Sequence, residues 1–100
     1  MISELNKLIK FEGSVKNQEL FEDSLWEEKF YLWGNIESIQ SKKSELSDYR
    51  IYKIKIRNLL RNPYKISVDM RLKFDNKVCK IHKILINDRD YIYITAYEYT

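Results

Sequence analysis

The chain has 100 residues and a formal net charge of +3, and 44% of its residues are hydrophobic. This length supports one small domain, residues 1–100, and the apolar and aromatic content excludes a disordered tail. The single cysteine excludes an intramolecular disulfide framework and a cysteine-rich zinc module. Charged residues interrupt every apolar stretch well short of the roughly 20 residues that a membrane-spanning helix needs. We therefore expect a soluble protein that is made in a reducing cytoplasm and has no membrane partner.

The first half of the chain predicts two strands separated by a long connection. Residues 8–12 form a short strand candidate that ends at Gly13, and residues 30–39 form a second, stronger candidate. Between them, residues 14–28 are polar and acidic and predict a long loop with little helix. The next polar stretch, SKKSELSD, is longer than a hairpin needs and predicts a projecting arm over residues 41–48.

The second half alternates with a period of two, which is typical of half-buried strands. Residues 49–57 place an apolar face opposite a basic face that consists of Lys53, Lys55 and Arg57. Residues 70–74 repeat the pattern, and the pair Asp75-Asn76 predicts a tight turn. Residues 78–86 predict the return strand, in which a β-bulge near His82–Lys83 would restore the register.

The last predicted strand, residues 91–99, is rich in tyrosine. Its alternation places Ile92 and Ile94 on one face and four tyrosines on the other, Tyr91, Tyr93, Tyr97 and Tyr99. An outward row of tyrosines predicts a protein–protein interface, because tyrosine offers a large contact area with few rotatable bonds. The alternative is that the tyrosines face inward and the isoleucines outward, and the alternation alone leaves both arrangements open.

About six strands, long loops and little helix predict an all-β fold. At this size, closure into a small antiparallel six-stranded β-barrel would remove exposed sheet edges. The inward faces of the strands supply the predicted core, which consists of Trp33, Ile36, Tyr52, Ile54, Ile56, Met70, Leu72, Phe74, Cys79, Ile81, Ile92 and Ile94.

Catalysis and metal binding find little support in the sequence. Cys79 and the only histidine, His82, are three residues apart in a predicted strand, so a regular strand places them on opposite faces. A nucleophile also needs an orienting group, and we find none. One cysteine and one histidine do not make a structural zinc site without carboxylates, and two glycines do not build a phosphate-binding loop. We therefore expect no enzymatic activity, no metal and no cofactor.

Charge is divided unevenly along the chain. Residues 1–48 contain six basic and ten acidic residues, a net charge of −4, whereas residues 49–100 contain twelve basic and five acidic residues, a net charge of +7. Such a division favours self-association or one charged face turned to a partner, unless the halves interleave and the charges cancel. Basic residues beside exposed tyrosines also suggest a small basic β-barrel module that binds nucleic acid, although +3 is low for such a module.

Five short segments share their order and spacing with one known family. They are LIKF at residues 8–11, Trp26 followed by FYLWGNIE at residues 30–37, IKIR at residues 54–57, DMRLKF at residues 69–74 and NKVCKI at residues 76–81. On these segments the chain resembles the phage head–tail joining family, also called head-closure or stopper proteins, of tailed phages and prophages.

The resemblance implies a structural protein that forms a ring beneath the portal–adaptor complex, helps to close the DNA-filled head and receives the tail. Its partners would be the portal or adaptor ring, tail proteins, further copies of itself and packaged double-stranded DNA contacted without sequence readout. It would be part of a virion that is assembled in the cytoplasm of a bacterial host. The resemblance also implies that the arm faces the channel or a neighbour, with Lys42 and Lys43 toward DNA and Glu45 and Asp48 toward an adjacent subunit. The candidate subunit interface consists of Lys53, Lys55, Arg57, Tyr91, Tyr93, Tyr97 and Tyr99.

Overall fold

The computed structural model describes residues 7–15, 25–43, 48–57, 66–86 and 90–99. These residues contain six strands and no helix: β1 (Lys7–Val15), β2 (Leu25–Lys43), β3 (Asp48–Arg57), β4 (Arg71–Phe74), β5 (Lys77–Leu85) and β6 (Tyr91–Tyr99). Neighbouring strands are antiparallel in the order β1-β2-β3-β6-β5-β4, and β4 pairs with β1, so the sheet closes on itself. The prediction of an all-β fold with six antiparallel strands is confirmed.

Both predicted long loops are shorter than expected, because strand pairing continues into the polar segments. The pairing of β1 with β2 reaches Val15 and Leu25, so the 14–28 loop loses residues at both ends. The pairing of β2 with β3 reaches Lys43 and Asp48, so much of the 41–48 arm is the end of a long hairpin. Main-chain hydrogen bonds pair these ends, and the residues along them do not alternate between apolar and polar, which is why hydrophobic periodicity did not indicate them. Residues 16–24, 44–47, 58–65 and 87–89 lie outside the described residues.

Two local features predicted in the second half of the chain are confirmed. Asp75 and Asn76 have φ angles of 49° and 61°, the left-handed conformation that a tight two-residue hairpin requires at both positions. The register of β5 against β6 shifts between Ile81 and Lys83, which is the predicted bulge. The bulge lets Ile81 and Ile84 both point inward although they are three residues apart.

The core fills the inside of the closed sheet. Nine of the twelve predicted core residues are buried, and Ile36 and Met70 are half-buried against them. The prediction for Trp33 is wrong, because its side chain is 56% exposed. Alternation along β2 turns Trp33 outward beside Leu8, while its neighbour Gly34 faces inward. The core also contains four residues that the sequence analysis missed, Ile9, Phe11, Phe30 and Ala96.

Gly34 lies on β2 between side chains of β1 and β3 that leave no room for a side chain of its own. A methyl group added at Gly34 would lie 2.8 Å from Ile9 Cδ1, 2.9 Å from Ile56 Cγ2 and 3.1 Å from the backbone oxygen of Lys55. Ile9 and Ile56 are fully buried, so they have little room to move away. The absence of a side chain at Gly34 therefore allows the three strands to pack at this distance.

The closure of the sheet between β1 and β4 contains a buried carboxylate. These two strands pair over only three residues, Lys10 to Glu12, and Glu12 is 5% exposed. Arg71 donates a hydrogen bond of 2.6 Å from Nε to Glu12 Oε1, and the Nζ atoms of Lys10 and Lys73 lie 3.5 and 3.8 Å from Oε2. The Arg71 guanidinium also lies over the Trp26 ring, 4.5 Å from its centroid. We call Glu12, Lys10, Arg71 and Lys73 the Glu12 cluster.

The environment of Glu12 favours its charged form. Burial by itself raises the pKa of this carboxyl, but the hydrogen bond from Arg71 and the positive charges of Arg71, Lys73 and Lys10 together lower it by more. The pKa of Glu12 therefore lies below its ordinary value. A carboxyl with a depressed pKa stabilises the folded state above its unfolded-state pKa, and this contribution is lost as the pH falls through the folded-state pKa.

The crowding at Gly34 leads to a testable prediction. We expect Gly34→Ala to lower the free energy of unfolding by about 1–3 kcal/mol, because the added methyl group overpacks the core. The matched control is Gly13→Ala, whose added methyl group would meet only the side chain of Lys29, at 2.8 Å from Cε. Lys29 is exposed and flexible, so this variant should stay within about 0.5 kcal/mol of the wild type. Urea denaturation followed by tryptophan fluorescence measures both, and equal stabilities would contradict the close approach.

The Glu12 cluster leads to a second prediction. Glu12→Gln should lower the free energy of unfolding at pH 7 by about 1.5–3 kcal/mol, because it removes a charged hydrogen-bond acceptor that is shielded from water. Glu27→Gln, at an exposed carboxylate with Lys29 at 3.2 Å, should cost less than about 0.5 kcal/mol. In urea titrations between pH 7 and about pH 3, the deficit of Glu12→Gln should shrink as the pH falls below about 4. A deficit that does not change with pH would show that the charge of Glu12 is not the stabilising feature.

Candidate protein-interaction surface

The tyrosines of β6 face outward. Ile92, Ile94 and Ala96 are in the core, whereas Tyr91, Tyr93 and Tyr97 are half-buried on the opposite face and Tyr99 is 59% exposed. The register explains this arrangement, because Ile94 and Ile92 lie opposite two core isoleucines of β3, Ile54 and Ile56. Of the two arrangements that the sequence left open, the structure has the outward row of tyrosines.

Four rings form an aromatic cluster at one end of this row, and they are Tyr49, His82, Tyr97 and Tyr99. Tyr49 lies opposite Tyr99 across the β3–β6 pair, and its ring centroid is 5.5 Å from that of Tyr97 and 5.8 Å from that of Tyr99. His82 stacks on Tyr97 at 4.6 Å with an interplanar angle of 16°. His82 occupies the bulge of β5, which places its side chain on the outer face. The sequence predicted the bulge and the surface position of His82, but not its stacking on a tyrosine 15 residues away.

The basic row on β3 is not a uniform stripe of free cations. Lys53 and Arg57 are exposed, but the side chain of Lys55 is only 14% exposed. Its Nζ atom lies 4.0 Å from the centroid of the Tyr91 ring and 4.0 Å from Glu37 Oε1. Lys55 of β3 therefore contacts both β2 and β6 on the outer face. Its positive charge is less available to a binding partner than the sequence indicated.

The arm residues lie at the end of the β2–β3 hairpin. Lys42 and Lys43 are exposed, Lys42 lies opposite Tyr49, and Lys43 lies opposite Asp48. Glu45 lies outside the described residues. The pairing of β1 with β2 ends at Gly34, so in the described part of the chain the rest of β2 is paired only with β3.

A second outward patch lies on β1 and β2. Leu8 is 46% exposed and lies opposite Trp33, and Tyr31 beside them is 48% exposed. The hydroxyl of Tyr31 donates a hydrogen bond to Glu28, and this bond is the main reason that the pKa of Tyr31 is raised. The patch combines apolar side chains with a carboxylate, whereas the outer face of β3 is basic.

The chemistry of Cys79 and its surroundings does not resemble a catalytic site. Burial, and secondarily the charge of Glu98, raise the pKa of the Cys79 thiol to about 12, so the thiol is protonated at neutral pH. Tyr52 donates a hydrogen bond of 2.8 Å to Glu98, and its pKa is raised first by burial and then by this bond. Among the described residues, no three His, Cys, Asp or Glu side chains are grouped so that they could hold a metal ion. The same residues include no helix that is long and apolar enough to cross a membrane.

The site residues that the sequence analysis missed are those whose partners are distant along the chain. Glu12 and Arg71 are 59 residues apart, and no periodic pattern connects them. Trp26 was noted only as part of a motif, although its ring lies against Arg71 at the edge of the outer face. Alternation gave no signal for the burial of Glu12, because a residue that directly follows the core residue Phe11 is expected to face outward.

Comparison with known proteins identifies the family of the chain and a solved structure that has the same fold. The model of the phage head completion protein family matches residues 1–98. A solved chain described as "Virion of native gene transfer agent (GTA) particle" has the same fold, with a TM-score of 0.76 at 18% sequence identity, and the match covers 99% of this chain and 98% of that chain. No curated protein matches the chain. Since the family match spans nearly its whole length, the chain belongs to the phage head completion protein family, a family of structural virion proteins.

Proposed function

We propose that the protein is a structural subunit of the head–tail junction of a tailed phage, prophage or phage-like particle. Copies of it form a ring beneath the portal and adaptor, help to close the DNA-filled head and present a surface to the tail. The observation that carries the proposal is the match to the head completion family over residues 1–98. The fold shared with a chain of a gene transfer agent particle supports the same class of role.

The distribution of residues on the outer face suits a ring. A ring needs a heterologous contact, in which two different surfaces of each copy meet head to tail. The β3–β6 surface offers the exposed Lys53 and Arg57 beside the tyrosine row, and the β1–β2 surface offers Leu8 and Trp33 with the exposed carboxylates of Glu27 and Glu28. In the proposed ring, Glu27 and Glu28 of one copy would pair with Lys53 and Arg57 of the next, and both surfaces carry the aromatic residues that are enriched at interfaces.

The hairpin of β2 and β3 supplies the proposed arm. Its end carries the exposed cations Lys42 and Lys43, which would contact DNA phosphates in the channel without reading sequence. Glu45 and Asp48 remain proposed contacts to basic groups of an adjacent subunit. The proposed partners are the portal or adaptor ring and the tail proteins, in a virion assembled in the host cytoplasm.

The structure gives less support to a dedicated nucleic-acid-binding module. Such a module needs cations that track a phosphate backbone and aromatic faces that are free to stack on bases. The Lys55 ammonium is drawn onto Tyr91 and Glu37, and the ring of Tyr97 is stacked against His82. We therefore treat contact with DNA as a property of the assembled ring.

The ring is tested by electron microscopy of the full chain mixed with its portal–adaptor complex and tail partners. We expect one added ring-shaped layer, and we expect Lys53→Glu combined with Arg57→Glu to abolish it by reversing the charge of the β3–β6 surface. The matched control is Lys53→Arg combined with Arg57→Lys, which changes the same two side chains but keeps their positive charge. A protein that stays monomeric with all its partners present would overturn the proposal. Loss of the ring in the control as well would overturn the role assigned to these positive charges.

A further inference from the structure

We propose that a groove on the outer face binds an extended peptide segment of a partner protein, in which a carboxylate lies beside an apolar side chain. The groove runs from the start of β2 across β4 and β5 to the end of β6. The side chains that matter are Trp26, Asp69, Arg71, Lys80, Tyr97 and Tyr99. The inference rests on the proposed function only in taking the partner to be another virion protein.

The floor of the groove is set by the register of three strands. Arg71 of β4 lies directly opposite Lys80 of β5, and Lys80 lies directly opposite Tyr97 of β6. Side chains in such positions are about 5 Å apart on the same face of a sheet. Lys80 therefore lies in the middle of the groove, between a tryptophan–arginine wall and an aromatic wall.

Both walls are held in place before any partner binds. Arg71 is fixed by its 2.6 Å hydrogen bond to Glu12 and by its position 4.5 Å from the Trp26 ring centroid. Tyr97 is fixed by stacking on His82 at 4.6 Å and by an edge contact with Tyr99 at 6.2 Å. Rigid side chains lose little conformational freedom on binding, so a preformed groove binds more tightly than a mobile one. Tryptophan, tyrosine and arginine are also the residues that most often carry binding energy at protein interfaces.

The charge in the groove calls for an acidic partner. Lys80 is exposed and has no ion pair with any residue that the structure describes. Arg71 shares the single carboxylate of Glu12 with Lys10 and Lys73, so the charge of Arg71 in the groove wall is only partly neutralised. A carboxylate of the partner at Lys80 would meet the positive charges of Lys80 itself and of Arg71 directly opposite it.

A peptide fits this groove better than single-stranded nucleic acid does. Bases bind by stacking on exposed ring faces, but one face of Trp26 is covered by Arg71 and one face of Tyr97 by His82. Asp69 also lines the groove, and its carboxylate can accept a backbone N–H from a peptide. The open ring edges and the tyrosine hydroxyls suit an apolar side chain and peptide groups.

The two tryptophans of the chain make a direct test possible. Trp33→Phe leaves Trp26 as the only tryptophan, and Trp33 lies outside the core, so the variant should fold. The probe is the peptide acetyl-DIFDI-amide, and its neutral counterpart is acetyl-NIFNI-amide. We expect the acidic probe to give a saturable change in Trp26 fluorescence, and the neutral probe to bind about threefold to tenfold more weakly. No saturable change with the acidic probe, or equal binding of the two probes, would overturn the proposal.

Variants of two lysines on β5 locate the site. In the Trp33→Phe background, Lys80→Gln should weaken binding of the acidic probe about threefold to tenfold. Lys83→Gln removes the same charge from the same strand outside the groove, and it should leave binding unchanged. If both variants weaken binding equally, the acidic probe is attracted only by the net charge of the protein, and the assignment of its binding site to the groove is wrong.

Other occupants give distinct results in the same assay. If a ten-nucleotide oligothymidine binds more tightly than the acidic probe, the ligand of the groove is nucleic acid, and the peptide proposal is wrong. If Trp26 fluorescence changes with protein concentration in the absence of any probe, the groove binds a second copy of the chain, and the peptide proposal is wrong. The peptide-binding assay uses the chain without a portal or tail. A negative result in this assay would contradict the peptide-binding groove but not the proposed ring. Conversely, a chain that binds the acidic probe but never forms a ring would contradict the proposed function and support the groove.

Discussion

The closed sheet depends on the three-residue pairing between β1 and β4. This pairing is the shortest in the sheet, and the buried carboxylate of Glu12 holds cationic side chains from both strands across it. Without the closure, β1 and β4 would each expose an edge, and the inward faces of both strands would lose their cover. The same contact also positions Arg71 against Trp26, so the interaction that closes the fold shapes the outer surface as well.

The alternation of apolar and polar residues predicted the parts of the fold whose structure depends on residues close together in the sequence. Residues 91–99 were predicted as a strand and form β6 with the same ends, and the displaced isoleucines of β5 indicated the bulge that the register shows. The pair Asp75-Asn76 indicated a tight turn, because these residue types tolerate left-handed backbone angles. In each case the local sequence contains the full physical cause of the local structure.

The remaining features depend on partners that are distant in the sequence. Trp33 was predicted to be on the inward face of its strand, but the inward position belongs to its neighbour Gly34, where Ile9 and Ile56 leave no room for a side chain. The extent of β2, with 19 residues, follows from main-chain pairing with β1 at its start and with β3 at its end rather than from an apolar pattern.

The residue types of the candidate surface could be predicted from the sequence, but the contacts between them could not. The tyrosine row was visible in the sequence, but its outward direction was decided by the isoleucines of β3 that pack against Ile92 and Ile94. The basic row was also visible, whereas the contact of Lys55 with Tyr91 and Glu37 needed the positions of three strands. Residue types indicated that a surface exists, and only the register showed which side chains lie together on it.

The buried position of Cys79 has a consequence for a particle that leaves its host. Disulfides form in oxidising surroundings, and the reactive species is the thiolate. With a pKa of about 12 and no exposed surface, the thiol of Cys79 offers almost no thiolate at neutral pH. In the ring that we propose, neighbouring copies would therefore not become cross-linked through this residue. The durability of that ring outside the cell would not depend on disulfides.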